Sequence, residues 1–278
     1  MHGSSPISPP AIAAVEAEAF EIVGGAADAG MVIVADHASN RVAADYDRLG
    51  LSEAALARHI AWDIGVEPLA RLLAARLGVP AVLSRFSRLV IDANRGDDDP
   101  TLVMRLSDGA VVPGNARIDR REVERRIERW WRPYDTAIRD TIDGCFAAGR
   151  APIVFSLHSF TPVWRGVPRP WHCGVLWDRD PRLAGLLLDR LSGEPTLVVG
   201  DNEPYHGALA GDTMYRHGTR RGLAHAILEV RQDLIADAAG VAEWAERLVP
   251  ILGEAMRDHD FAEPRLYGSS TGPVAADR

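Results

Sequence analysis

Apolar runs of strand length, too continuous to face water on either side, recur along this chain, and two of them lead into a histidine. Met31-Val32-Ile33-Val34 precedes Asp36-His37-Ala38-Ser39-Asn40, and Ile153-Val154-Phe155 precedes Leu157-His158-Ser159. A third run, Ala226-Ile227-Leu228, ends in Glu229-Val230-Arg231. Strands apolar on both faces belong to sheets covered by helices on both sides, and such sheets are mostly parallel. The pattern predicts strands over 31–36, 80–85, 89–93, 152–158, 173–177, 196–199 and 224–230. Helices are expected over 52–61, 66–77, 119–148, 181–192 and 240–257, the second carrying Leu69, Leu72, Leu73 and Leu77 at helical spacing. Strands alternating with helices give an α/β fold, a three-layer sandwich around a mixed, mostly parallel sheet. No internal repeat or Gly/Ser linker divides the chain. One domain is therefore expected over 16–258, between flexible, Pro-, Ser-, Gly- and Ala-rich ends at 1–15 and 259–278.

Composition narrows the chemistry. All 31 basic residues are arginine, which excludes lysine Schiff bases and lysine-dependent phosphate loops. A net charge of −8 argues against nucleic-acid binding. The arginines of 117–132 alternate with Asp119, Glu122, Glu124 and Glu128, as on a solvated helix face. Cys145 and Cys173 are far apart and form no CxxC unit. No apolar stretch is long enough to span a membrane, and no signal peptide is expected at Met1-His2-Gly3-Ser4-Ser5-Pro6, so a cytoplasmic protein is the expectation. HExxH, GxGxxG and P-loop signatures are all missing from the sequence.

In open α/β sheets, ligands gather outside the carboxyl ends of the strands. Two imidazoles and a carboxylate at such ends suggest a metal hydrolase. His37 alone reads equally as part of a capping turn, and His158 alone as a core histidine; together they point to a site. A catalytic zinc takes three protein ligands and leaves a position open for water. Asp63, a carboxylate inside the apolar stretch Ile60-Ala61-Trp62-Asp63-Ile64, is the candidate third ligand. Glu67 is its rival, and an N-cap is the plainer role for Asp63. Glu229 is a general base beside the metal or the partner of a buried arginine. Arg231, on the same strand face, either pairs with Glu229 or binds a substrate carboxylate.

Arg88 and Arg95 flank Leu89-Val90-Ile91-Asp92-Ala93-Asn94 and suit an anion clamp, or else a salt-bridge network with Asp92 and Asp97. The loop containing Asn202-Glu203-Pro204-Tyr205-His206-Gly207 suits substrate positioning, or is merely solvated. Segment 96–118 is turn-rich at both ends and has little periodicity. A connection of this length is usually functional or disordered, and a lid over the carboxyl edge is one role open to it.

The order of these segments, completed by Gln232 and Asp233 after Arg231, resembles the N-formylglutamate amidohydrolase family over about residues 30–255. The Asp-x-Asn-Arg segment and the late Glu-Val-Arg-Gln segment are the most specific parts. The resemblance implies a phosphorylase/hydrolase-like fold related to zinc carboxypeptidases. By analogy with similarly built zinc amidases, it implies His37, Asp63 and His158 as ligands and Glu229 as base. The expected substrate is a small anionic N-acyl amino acid, N-formyl-L-glutamate first, contacted by Arg88, Asn94, Arg95, Ser159, Tyr205 and Arg231. The expected metal is Zn2+, although His2-carboxylate sites also accept manganese or iron. Two rivals remain: a zinc amidase acting on larger acyl-amino acids or cell-wall peptides, and a metal-free carboxylate-binding protein.

Overall fold

The computed structural model describes residues 11–12, 15–16 and 18–274, so most of the N-terminal end expected to be flexible, and the last four residues of the C-terminal one, lie outside the described residues. Eight strands form one sheet: β1 (Val15–Glu16), β2 (Phe20–Val23), β3 (Met31–Ala35), β4 (Ala81–Ser84), β5 (Ile153–Phe160), β6 (Cys173–Leu176), β7 (Val199–Asp201) and β8 (His225–Arg231). Their spatial order is β7-β6-β8-β5-β3-β4-β2-β1. Strands β8, β5, β3 and β4 run parallel. Strand β6 runs against β8, β7 lies parallel to β6, and β2 and β1 add an antiparallel margin.

Helices cover both faces, which is why the central strands are apolar throughout. On one face, α1 (Val66–Leu77), α4 (Arg182–Ser192) and α5 (Ala238–Arg257) bury Leu69, Leu73, Leu183, Leu187, Trp244 and Leu248 against Ile33, Phe155, Leu157 and Leu228. On the other, α2 (Arg120–Arg126), α3 (Arg132–Ala147) and the turn that joins them bring Trp130, Tyr134, Ile138 and Ile142 against Val32, Val34, Val82 and Val154. Side-chain alternation places His158 with Val154, and Glu229 with Ile227, on this second face. The register then sets Glu229 beside His158.

Several expectations need revision. The segment 89–93 is buried but is no strand. Its carbonyls are taken by side chains instead of a ladder, Leu89 by Asn115 Nδ2 at 2.7 Å and Val90 by Arg126 Nη1 at 2.8 Å. Arg126 is accordingly buried rather than on a solvated face, with its guanidinium over Tyr46. The helix expected over 52–61 is one turn, Glu53–Leu56. The helix over 119–148 is continuous but contains a π turn at Ile127–Trp131. Such turns are frequent at functional sites. Here Trp131 Nε1 donates to the carbonyl of Arg95 at 2.9 Å. Strand β2 has no counterpart in the sequence reading: at four half-buried residues it is too short for a periodic signal.

Candidate active site at the carboxyl edge of the sheet

His37 lies two residues beyond β3, while β5 continues two residues past His158. Asp63 precedes α1, whose N-cap is Gly65 at φ +84, so capping is not the role of Asp63. A Cβ on Gly65 would stand 2.2 Å from the carbonyl oxygen of Ile235, so only glycine lets this turn pack against the chain leaving β8. His37, Asp63 and His158 are each at most 4% exposed, and one ligand atom from each lies within 4.8 Å of the others.

The Nδ1 atoms of both rings face Asp63 Oδ2, at 3.3 Å for His37 and 2.8 Å for His158. Each remaining ring nitrogen meets another buried carboxylate. His37 Nε2 is 2.7 Å from Asp92 Oδ1, and His158 Nε2 is 3.2 Å from Asp36 Oδ2. Asp36 is fixed in turn by the hydroxyls of Tyr134 and Thr213, at 3.0 and 2.8 Å. Burial would lower the histidines' affinity for protons, but Asp92 and Asp63 raise His37, and Asp36 and Asp63 hold His158 well above its usual range. The same contacts outweigh burial at Asp36 and Asp63 and keep both carboxylates ionised.

This donor set fits a divalent cation. It offers two imidazoles and a carboxylate converging on one point, with each ring oriented from behind by a carboxylate, the usual outer support of metal-bound histidines. A cation entering there would displace protons from the rings.

Glu229 is 8% exposed, and its Oε2 has no hydrogen-bond partner among the described residues. Burial pushes its pKa up to about 7, aided by Asp63 and opposed by His158 and Arg88. A carboxylate poised there can take and return protons near neutrality.

A cavity of about 390 Å³ opens over these groups. Of the residues expected from sequence, His37, Asp63, His158, Glu229, Arg88, Asn94, Arg95, Ser159 and Tyr205 all line it. Arg231 does not, which corrects its expected place against substrate. The chain turns at the end of β8, and the guanidinium is taken by Asp233 at 2.8 Å and by the carbonyl of Trp171. Glu67 is likewise elsewhere, bonded to Arg71 at 2.9 Å.

Arg88 donates to Asp92 at 2.7 Å and stands 3.5 Å from Asp63. Asn94 accepts from the backbone of Thr213, Ser159 donates to the carbonyl of Ile64, and the Tyr205 hydroxyl accepts from Arg169. Segment 96–118 sends Met104, Ser107 and Asp108 into the cavity wall, the last two from a hairpin with an Asp-Gly turn. A second hairpin contributes Trp164.

Sequence reasoning did not assign Asp36 or Asp92 to the histidines and missed Tyr134 and Thr213. The pairing is crossed: Asp36 adjoins His37 in sequence but supports His158. The available signal was Asp92, a carboxylate within an otherwise apolar run.

A mixed α/β sheet with a His-Asp-His group and an adjoining glutamate at its carboxyl edge defines the broad class: an α/β protein with a candidate metal centre. The comparisons narrow it. The chain belongs to the N-formylglutamate amidohydrolase family, whose model matches residues 29–236, and an amidohydrolase role follows from that membership. A crystal structure of a gene product from Agrobacterium tumefaciens is similar at a TM-score of 0.81 and 34% identity, over 88% of this chain and 97% of that one. The structure of N-formylglutamate amidohydrolase from Ralstonia eutropha JMP134 shares the fold at a TM-score of 0.61 and 22% identity, over 87% of this chain and 99% of that one. Comparison with curated proteins gives no match. No helix among the described residues is long and apolar enough to cross a membrane.

Proposed function

We propose that this protein is a metal-dependent amidohydrolase that cleaves the N-acyl bond of N-formyl amino acids, releasing formate and the free amino acid. The observation that carries this reading is the buried His37-Asp63-His158 group, oriented from behind by Asp36 and Asp92 and flanked by Glu229. His37, Asp63 and His158 would hold the metal. When bound, a divalent ion there supplies Lewis acidity, polarising an acyl carbonyl and acidifying water.

The chain's own groups do the remaining work. Glu229 accepts a proton from the water that adds to the formyl carbon, then returns it to the nitrogen as the C–N bond breaks. Arg95 holds the substrate carboxylate, because no described side chain accepts from its guanidinium while the carbonyl of the same residue is pinned by Trp131 and Arg216. Arg88 keeps Asp92 and Asp63 ionised and in place. Asn94, Ser159 and Tyr205 line the route to the scissile bond.

The test is release of free amine from N-formyl-L-glutamate and other N-formyl amino acids, before and after chelation and zinc restoration. Metal-restored turnover of any of them supports the reading. A metal-loaded protein that cleaves none overturns it.

A further inference from the structure

A dicarboxylic substrate is best held by two cationic partners, and, a bound metal apart, the described lining residues of the cavity offer one arginine without a hydrogen-bonded carboxylate. Besides His37 and His158, its basic lining residues are Arg88, Arg95, His59 and His206. Arg88 is already neutralised by Asp92 and Asp63. His59 stands 3.1 Å from Asp108. His206, at the exposed rim, is engaged through Nδ1 by the backbone N–H of Ala208. Arg95 alone among the described lining arginines has no hydrogen-bonded carboxylate, its interaction with Asp92 acting only at longer range.

The wall beyond Glu229 has the opposite character. Ile227 lies two residues before Glu229 on the same strand face and pairs in register with Leu176 across β6, and Leu209 lines the same cavity. A smaller recess behind shares these three residues with Met214 and also has polar members, among them Asp178, His225 and the buried Asp212, which burial pushes up to about 7. A second substrate carboxylate seated there would lose its water, find no arginine among the described lining residues and face Asp178 and Asp212.

We propose that the preferred substrate is an N-formyl amino acid with one carboxylate, held by Arg95, and an uncharged, apolar side chain seated against Leu176, Leu209 and Ile227. This rests on the amidohydrolase reading above and replaces glutamate as the preferred amino acid. Leu209 is then a specificity-determining residue.

The experiment compares N-formyl-L-leucine, N-formyl-L-methionine and N-formyl-L-glutamate in two ways. Amine release by the metal-loaded protein gives kcat/KM, and calorimetric titration of the metal-loaded Glu229→Gln variant gives binding without turnover. The apolar substrates are expected to exceed formyl-glutamate by at least about tenfold in both. Leu209→Arg, which adds a second cation, is expected to narrow that ratio by about tenfold. Equal or better binding and turnover of formyl-glutamate overturns the inference. Should the binding order hold while nothing is cleaved, the hydrolase reading fails and the ligand class stands. A reversed binding order alongside turnover fails the inference alone.

Discussion

On the floor of the cavity, His37, Asp63, His158 and Glu229 stand at or beside the ends of central strands, and both imidazoles are held at each nitrogen by buried carboxylates. At the rim, Ser107, Asp108, Trp164, Tyr205 and His206 stand on hairpins and loops and keep few partners. The floor is held by the core: moving one ring means moving a carboxylate fixed in turn by Tyr134 or Arg88. The rim is held by contacts that water can replace. Chemistry that needs fixed atoms therefore belongs below, and selection that must adapt to a ligand belongs above. If this contrast is functional, damage should fall steeply from floor to rim.

The steepest loss is expected for Glu229→Gln, which keeps shape and removes the base. Turnover should drop about 10²- to 10⁴-fold, with metal content unchanged by elemental analysis. Full activity with full metal would remove Glu229 from the mechanism. The same residue fixes the pH dependence. A base must be ionised, so kcat/KM should decline as pH is lowered through the Glu229 ionisation. That acid limb should lie at or below about 7, since a nearby cation lowers the value further. The limb should be missing from the Gln variant's residual rate.

Next comes the outer support. Asp36→Asn preserves size but takes from His158 Nε2 a charged acceptor that Tyr134 and Thr213 hold in place. Metal affinity, read by competition with a chelator, should weaken about 10- to 100-fold. An unchanged affinity would mean that the floor is less rigidly organised than its hydrogen bonds indicate.

Arg95 lies between the two regions, with a fixed backbone and an uncommitted guanidinium. Arg95→Met should raise KM about 10- to 100-fold and leave kcat within a few-fold, as expected when one charge-assisted contact to bound substrate is lost. A fall in kcat with KM unchanged would make Arg95 part of the floor instead.

The legibility of the molecule follows the same division. Apolar runs buried on both faces advertised β3, β5 and β8, and polar residues interrupting such runs, His158 and Glu229 within strands and Asp63 before α1, stood out because burying them is costly without a partner. The crossed support of the histidines was not legible. Which carboxylate meets which ring depends on the register of β5 with β3 and on the path of 89–93, and neither is written in local sequence. That segment looked like a strand because its side chains are apolar. Its backbone partners, Asn115 and Arg126, lie more than twenty residues away. Arg231 failed for a simpler reason: alternation gives the face of a strand residue, but at the strand's last position the following turn brought Asp233 within reach.

The smallest effect is expected at the tip of the first hairpin. Asp108, at φ +42 before Gly109 at φ +74, stands 3.1 Å from His59 and 3.5 Å from Arg58. All three side chains are between a quarter and half exposed. Ion pairs so open to water are typically worth about 0–1 kcal/mol, and asparagine tolerates the left-handed turn about as well as aspartate does. Asp108→Asn should therefore change KM by no more than about fivefold. It should leave kcat alone, and the residual effect should fade in high salt, where exposed pairs are screened. A loss as large as that of Asp36→Asn would show that the hairpin tip is structural machinery and not an adjustable cover, and the division between floor and rim would fail at the point where it is drawn most sharply.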